Sequence, residues 1–182
     1  MRSVFPAVLV VLAACPEPPP PCSSHADCGD LQFCADESFC LDVFDRTYSI
    51  TMVEATVPST GTTGGPWDPE DGSDPDVVAV FGVPPVFGAN NEILEPEDAA
   101  QTSVIDNTLN PVWEESGQIT LLSERSFSVN VFDFEGDGSA TFIGGWIWES
   151  DASIVDLVRT LGEEQEVSSG GLSITLRLDP PR

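Results

Sequence analysis

Two stretches of this sequence carry carboxylates densely enough to do chemistry. The first is Asp68-Pro69-Glu70-Asp71-Gly72-Ser73-Asp74-Pro75, and the second is Asp133-Phe134-Glu135-Gly136-Asp137-Gly138. Two carboxylates about 4 Å apart repel by roughly 4 kcal/mol at an effective dielectric near 20. Several of them gathered in one place therefore need a counter-charge or protonation. Calcium meets that need, since it takes six to eight oxygen ligands from carboxylates, carbonyls and water. The second stretch also opens like an EF-hand loop, with acids at Asp133, Glu135 and Asp137 before Gly138. Its twelfth position is Gly144 instead of Glu, however, and its flanks read as strands, so that reading is set aside.

Cysteine is the other reactive residue type. Cys22, Cys28, Cys34 and Cys40 recur at every sixth position, and Cys15 stands apart from them. In an oxidising compartment the four make two disulfides, for which three pairings exist. A four-thiolate zinc site is the competing use of the same residues. The single histidine, His25, lies between Ser24 and Asp27, too close in sequence to form a preorganised catalytic triad, and reads as an exposed polar residue of a cysteine-rich loop. No histidine, nucleophile–base pair or phosphate loop occurs in the rest of the chain, so an enzyme is not expected.

The N-terminus has the layout of a secretory signal peptide: Arg2, then the apolar run from Val4 to Leu12, then small residues. A transmembrane helix needs about 20 apolar residues, and Pro16 to Pro21 ends the stretch well short of that. Leu12-Ala13-Ala14-Cys15 resembles the bacterial lipobox, in which the cysteine is acylated after cleavage just before it. Spending Cys15 on a lipid leaves an even number of cysteines, as an exported chain requires. The expected product is exported and lipid-anchored in a bacterial membrane, facing the periplasm or the cell exterior.

Charge narrows the partners. The chain has 31 Asp and Glu against 6 basic residues, all of them arginine, for a formal net charge of −25. Nucleic acid is excluded as a partner, because phosphate binding needs a cationic surface. Apolar content of 41% is ordinary for a folded domain, so the acidity does not signal disorder.

Four segments follow: a signal peptide at 1–14, a lipidated cysteine with a stiff proline-rich spacer at 15–21, a cysteine-rich segment at 22–44, and a folded body at 45–180. The cysteine-rich segment is too short for a core of its own and needs its cross-links for order. The body reads as all-β, with strands expected at Tyr48 to Val57, Val77 to Val83, Gln118 to Leu122, Phe127 to Phe132, Phe142 to Trp148 and Leu172 to Leu178. Phe127, Val129 and Val131 share one strand face. Only Ser153 to Leu161 reads as helix, with Ile154, Leu157, Val158 and Leu161 at helical spacing. Pro84 to Gln101 reads as a solvated excursion. Trp113 is expected to plug the core, Trp146 and Trp148 to share a face, and Trp67 to pack in its loop.

Three ordered strings resemble the C2 domain, a calcium-dependent membrane-binding module. Asp68 to Pro75 runs into the strand Val77 to Phe81 in the manner of the family's Asp, five residues, then the Asp of Ser-Asp-Pro. Asn107-Thr108-Leu109-Asn110-Pro111-Val112-Trp113 is similar to its most recognisable string. Val129 to Glu135 ends a strand at the family's paired acids, and Gly144 stands eleven residues after Asp133, as in the family.

The resemblance implies an eight-stranded antiparallel sandwich with one short helix, preceded here by the small cysteine-rich segment. It implies calcium held by Asp68, Asp74 and Asp133, with Glu135 in place of the usual Asp. The family's further Asp is Thr141 here, which removes a carboxylate that Asp137 stands near enough in sequence to replace. The function implied is calcium-dependent binding of a protein or a calcium-bridged phospholipid. Between Tyr48 and Leu178 only Arg125, Arg159 and Arg177 face 23 acids, so no polybasic strand reads an anionic headgroup. The alternative function is a calcium-independent scaffold with the cysteine-rich segment as its recognition element.

Overall fold

Alternation along the chain becomes a sandwich in the computed structural model, which describes residues 18–35, 38–61, 64–68, 72–84, 86–87, 93–95, 97–135, 138–149 and 152–180. The N-terminal 17 residues, with the expected signal peptide and Cys15, lie outside the described residues, as does Asp137. Among the described residues no helix is long and apolar enough to cross a membrane.

The cysteine-rich segment forms a hairpin of β1 (Gln32–Ala35) and β2 (Phe39–Asp42). The body contributes β3 (Arg46–Thr56), β4 (Val77–Val83), the short pair β5 (Val86–Phe87) and β6 (Ile93–Glu95), and β7 (Asp98–Gln101). Then come β8 (Val112–Leu121), β9 (Phe127–Phe134), β10 (Ala140–Trp148), the helix α1 (Ala152–Val158), β11 (Glu164–Ser169) and β12 (Leu172–Asp179). Two four-stranded antiparallel sheets, in the orders β10-β9-β4-β7 and β11-β12-β3-β8, supply the eight strands that the sequence implied.

Period-two burial explains why the sheets stack. Phe127, Val129 and Val131 of β9 are each 0% exposed, and Leu172, Ile174, Leu176 and Leu178 of β12 are at most 3% exposed. Trp113 and Trp148 enter this core, and the Trp146 ring lies 6.3 Å from that of Trp148. Gly144 follows a break in the β9–β10 register at Phe142, and a side chain there would meet Leu172 at 2.9 Å. At Gly145 a Cβ would stand 2.6 Å from the Val129 carbonyl oxygen, which no rotamer relieves. The glycine of the motif and its neighbour thus let β10 cross closely over both sheets.

Two expectations need correction. Pro84 to Gln101 is more than a solvated excursion, because β7 pairs with β4 from Val83↔Asp98 to Val80↔Gln101 and edges the β10-β9-β4-β7 sheet. Its sequence, Asp-Ala-Ala-Gln, has low strand propensity, so backbone pairing decides its structure. The strand at Gln118 also begins earlier, at Val112, since Glu114, Glu115 and Ser116 occupy an edge where polar side chains face solvent.

The cysteine-rich segment is stapled by Cys22–Cys34 and Cys28–Cys40, which settles the pairing and removes all four sulfurs from any zinc site. His25 is partly buried and accepts the Cys34 N–H at its Nδ1 over 3.0 Å. Asp27 is occupied in accepting the Ser23 and Ser24 N–H groups, with Ser23 the main cause of its lowered pKa. These residues shape the knot and form no triad. Phe33 then leaves the knot and enters the sandwich: it is 1% exposed and its ring lies 6.4 Å from that of Tyr48. Tyr48 in turn donates its hydroxyl to the Val43 carbonyl at 2.8 Å.

Knot and sandwich share one core, so Phe33→Ala is expected to destabilise the whole protein by about 3–5 kcal/mol. Urea unfolding followed by near-UV circular dichroism checks this. A loss under about 1 kcal/mol would mean that the knot rides on the sandwich without packing into it.

Candidate metal centre

Register brings the acids together. Asp133, near the end of β9, pairs with Val77 at the start of β4 on one side and with Thr141 of β10 on the other. The acidic loop before β4 therefore meets the β9–β10 loop at one end of the sandwich. A third loop joins them, since Val77 also pairs with Ile105, and the Thr108 N–H donates to the Pro75 carbonyl at 3.0 Å.

Within this corner a carboxylate oxygen from each of Asp68, Asp133 and Glu135 lies within 4.8 Å of the other two. Calcium–oxygen distances of about 2.3–2.6 Å put two ligands of one ion at most about 5 Å apart, so the three fit a common cation. Asp68 is held by Ser73, whose hydroxyl donates to its Oδ2 at 2.9 Å. Glu135 sits in a tight turn in which its N–H donates to the Ser139 carbonyl and its own carbonyl accepts the Gly138 N–H.

Asp133 is the decisive member. It is 2% exposed, and its Oδ1 accepts the Asp76 N–H at 2.9 Å. Its Oδ2 is buried with no hydrogen-bond partner among the described residues. Burial pushes the Asp133 carboxyl up from the ordinary carboxylate range; the Asp76 N–H pulls it back, and the charges of Asp68, Glu135 and Asp76 raise it further. A buried acceptor on a carboxylate beside two others is costly to leave bare.

Oxygens already engaged limit what a cation receives. Among the described residues no donor engages one oxygen of Asp68, one of Asp133 and two of Glu135, four in all against the six to eight that calcium takes. Water, backbone carbonyls or a bound partner must supply the rest.

Of the acids read from the sequence, Asp68, Asp133 and Glu135 converge. Asp74 is exposed and stands outside that group of three, and Thr141 lies directly across from Asp133. The EF-hand alternative fails because β9 and β10 pair as a hairpin where flanking helices would be needed. Trp67, beside Asp68, is 8% exposed and donates its Nε1–H to the Pro58 carbonyl, so it packs the loop from within. Sequence reasoning missed Asp76, whose backbone N–H holds Asp133; its only sequence signal was the acidic run in which it stands.

The family model for the C2 domain matches residues 66–157, half of the chain, and spans both acidic loops. The chain belongs to the C2 domain family. Solved structures agree on the fold at low identity. Human GIVD cytosolic phospholipase A2 is 12% identical, with a TM-score of 0.51, over 73% of this chain and 16% of that one. A fragment of extended synaptotagmin 2 that joins its SMP domain to two C2 domains is 16% identical, with a TM-score of 0.52, over 74% of this chain and 27% of that one. The tandem pair of C2 domains from extended synaptotagmin 2 is 19% identical, with a TM-score of 0.50, over 98% of this chain and 48% of that one. This C2 domain chain spans about a sixth of the phospholipase chains it matches. No curated protein matches it.

Asp133→Asn tests the electrostatics without any cation. Asn keeps the acceptor for the Asp76 N–H and presents an N–H to the facing carboxylates, so the calcium-free protein should gain on the order of 1 kcal/mol, or about 3 °C in melting temperature. The folded-state pKa of Asp133 lies above the unfolded value of 3.8. Its favourable contribution is therefore complete below 3.8 and lost as pH rises through the folded pKa. The gap between variant and parent should be largest near neutrality and close as pH falls towards 3.8, as read from thermal melts in calcium-free buffer. A gap independent of pH would contradict the assignment.

Proposed function

We propose that this C2 domain is a non-enzymatic, exported module, tethered to a bacterial membrane by a lipid on Cys15, that binds calcium and uses it to engage a protein or phospholipid partner. The observation that supports calcium most is the buried Oδ2 of Asp133, without a partner among the described residues, on a carboxylate that lies within 4.8 Å of oxygens of Asp68 and Glu135. Asp74 and Asp137, in the same two loops, serve as outer ligands in this reading. Asp68, Asp133 and Glu135 would hold the ion, which would neutralise their converging charges and give an oxygen of the partner a Lewis-acidic contact. With four carboxylate oxygens free of a donor among the described residues, the affinity is expected to be modest, near the dissociation constants of about 0.1–1 mM at which extracellular calcium modules work.

The partner's chemistry follows from charge. The stretch from Tyr48 to Leu178, with 23 acids and three arginines, repels anionic surfaces at long range. Phosphate or carboxylate groups would be reached only through the ion, and the lipid anchor, not the domain, would bring the chain to its own membrane. One of the structurally similar phospholipase chains was solved with terbium chloride, an oxygen-seeking trivalent ion that offers a luminescent probe here because Trp67 adjoins Asp68.

Calcium at about one hundred times its dissociation constant should stabilise the protein by about 2.7 kcal/mol. Thermal melts with calcium and with chelator should show that gain in the parent, a smaller one in Asp74→Asn and none in Asp133→Asn. Identical melts at millimolar calcium would reject the reading. Flotation with phosphatidylserine vesicles, with and without calcium, separates a lipid partner from a protein one.

A cavity of about 570 Å³ supports the second reading, in which the cysteine-rich knot is the recognition element of a calcium-independent scaffold. It lies between Phe39, Leu41 and His25 of the knot and Leu161 and Pro180 of the body, and Phe39 is 39% exposed. Under that reading Phe39→Ser abolishes partner capture while Asp133→Asn leaves it intact. Deleting the knot would not discriminate, because Phe33 belongs to the common core.

A further inference from the structure

We infer that the free edge of β10 is a docking site for a protein partner, which adds an extended segment with basic ends to the β10-β9-β4-β7 sheet. The inference is independent of the calcium reading, because it concerns a different border of the sandwich and needs no cation.

β10 (Ala140–Trp148) has β9 on one side and, among the described residues, no strand on the other. Every second residue of such an edge turns its N–H and C=O outward, a template on which another chain can pair. Folded proteins blunt these edges with charges, prolines, short strands or a covering element. The opposite border of this sandwich is blunted in that way. There β7 is only four residues long, its Asp98 accepts the Thr120 N–H of β8 at 2.8 Å, and Glu115 of β8 accepts the Ser103 N–H and hydroxyl. β11, which edges the other sheet beside β10, carries Glu164 and Glu166. Of the four outer strands β10 alone has no charged residue, and it runs nine residues without a proline. Its register with β9 breaks between Phe142 and Gly144 and then continues unbroken to Trp148, a run about as long as an ordinary strand.

The side chains along this edge suit a partner strand. Ile147 is 57% exposed and Phe142 is 51% exposed, the latter edge-on to Phe132 with ring centres 5.6 Å apart. Register puts both on the outer face of the sheet, since they pair with Ser128 and Phe132, which alternate with the core residues Phe127, Val129 and Val131. An added strand would lay alternate side chains beside them and cover apolar surface that is otherwise in water. In this mode of recognition backbone pairing supplies affinity and the neighbouring side chains supply selectivity.

Charge selects the occupant. The strand ends at Glu149, which is exposed, and Glu166 is exposed on the adjoining β11. An uncharged strip bordered by acids complements a segment that is apolar or hydroxylic in its middle and carries Lys or Arg at its ends. A second copy of this chain fits less well. Pairing β10 with β10 would draw the two β11 edges, with their Glu166 side chains, towards each other in chains of formal net charge −25. An anionic bilayer meets the same repulsion.

The probe is a labelled peptide of alternating valine and threonine, nine residues long like β10, with lysine at both ends, and a matched peptide ends in glutamate. Fluorescence anisotropy with the full chain in chelator should show the lysine peptide binding and the glutamate peptide about tenfold weaker. Ile147→Lys should weaken the lysine peptide about tenfold while keeping the parent's melting temperature, and Glu149→Lys should bring the two peptides to similar affinity. Hydrogen exchange should show new protection in β10 and none in β7. No binding of the lysine peptide, protection confined to another element, or an unchanged preference in Glu149→Lys overturns the inference. Self-association of the parent in sedimentation, lost in Ile147→Lys, would assign the edge to a second copy. Calcium-free flotation with phosphatidylserine vesicles, lost in the same variant, would assign it to a lipid surface. Either result overturns the choice of a basic strand.

Discussion

A carboxylate held away from water must be protonated, paired with a cation or left at a cost, and Asp133 is held there by the pairing of β9 with β4 and β10. That constraint organises the acidic end of the sandwich. The Asp76 N–H satisfies one oxygen, and Asp68 and Glu135 arrive from two loops to bring a carboxylate oxygen each within 4.8 Å of the Asp133 carboxylate. The sandwich core supplies the stability that lets such an arrangement persist without an ion. Its fully buried Phe127, Val129 and Val131 lie on the same strand that carries Asp133 to the edge.

The other end is built on a different principle. Two disulfides order a segment that has too few apolar residues to fold alone, and Phe33 converts that order into attachment by packing beside Tyr48. Arg159, just beyond α1, approaches the Gly29 carbonyl and adds a polar tie between knot and body. A module of this kind can be carried on a stiff proline-rich spacer without the knot swinging independently of the C2 fold.

Much of this was legible in the sequence where a physical rule acts locally. Period-two alternation marked β9 and β12, and helical spacing of Ile154, Leu157 and Val158 marked α1. The strings around Asp68, Asn107 and Asp133 identified the family and the loops. What stayed hidden depends on long-range pairing. β7 is Asp-Ala-Ala-Gln and β11 is Glu-Gln-Glu-Val-Ser-Ser, compositions of loops that become strands only because β4 and β12 present open edges to them. Disulfide pairing cannot be deduced from equal spacing. Asp76 acts through its backbone N–H, which no side-chain motif records, and Asp74 resembles the family motif yet lies outside the three converging acids.

The central claim is that one cation bridges Asp68, Asp133 and Glu135. Anomalous diffraction from crystals soaked in terbium, compared with a calcium soak, tests it most directly. The account predicts a single strong peak about 2.3–2.6 Å from the Oδ2 of Asp133 and from oxygens of Asp68 and Glu135. A fully soaked crystal with an accessible site and no peak there, or with peaks only at scattered surface acids, would contradict it.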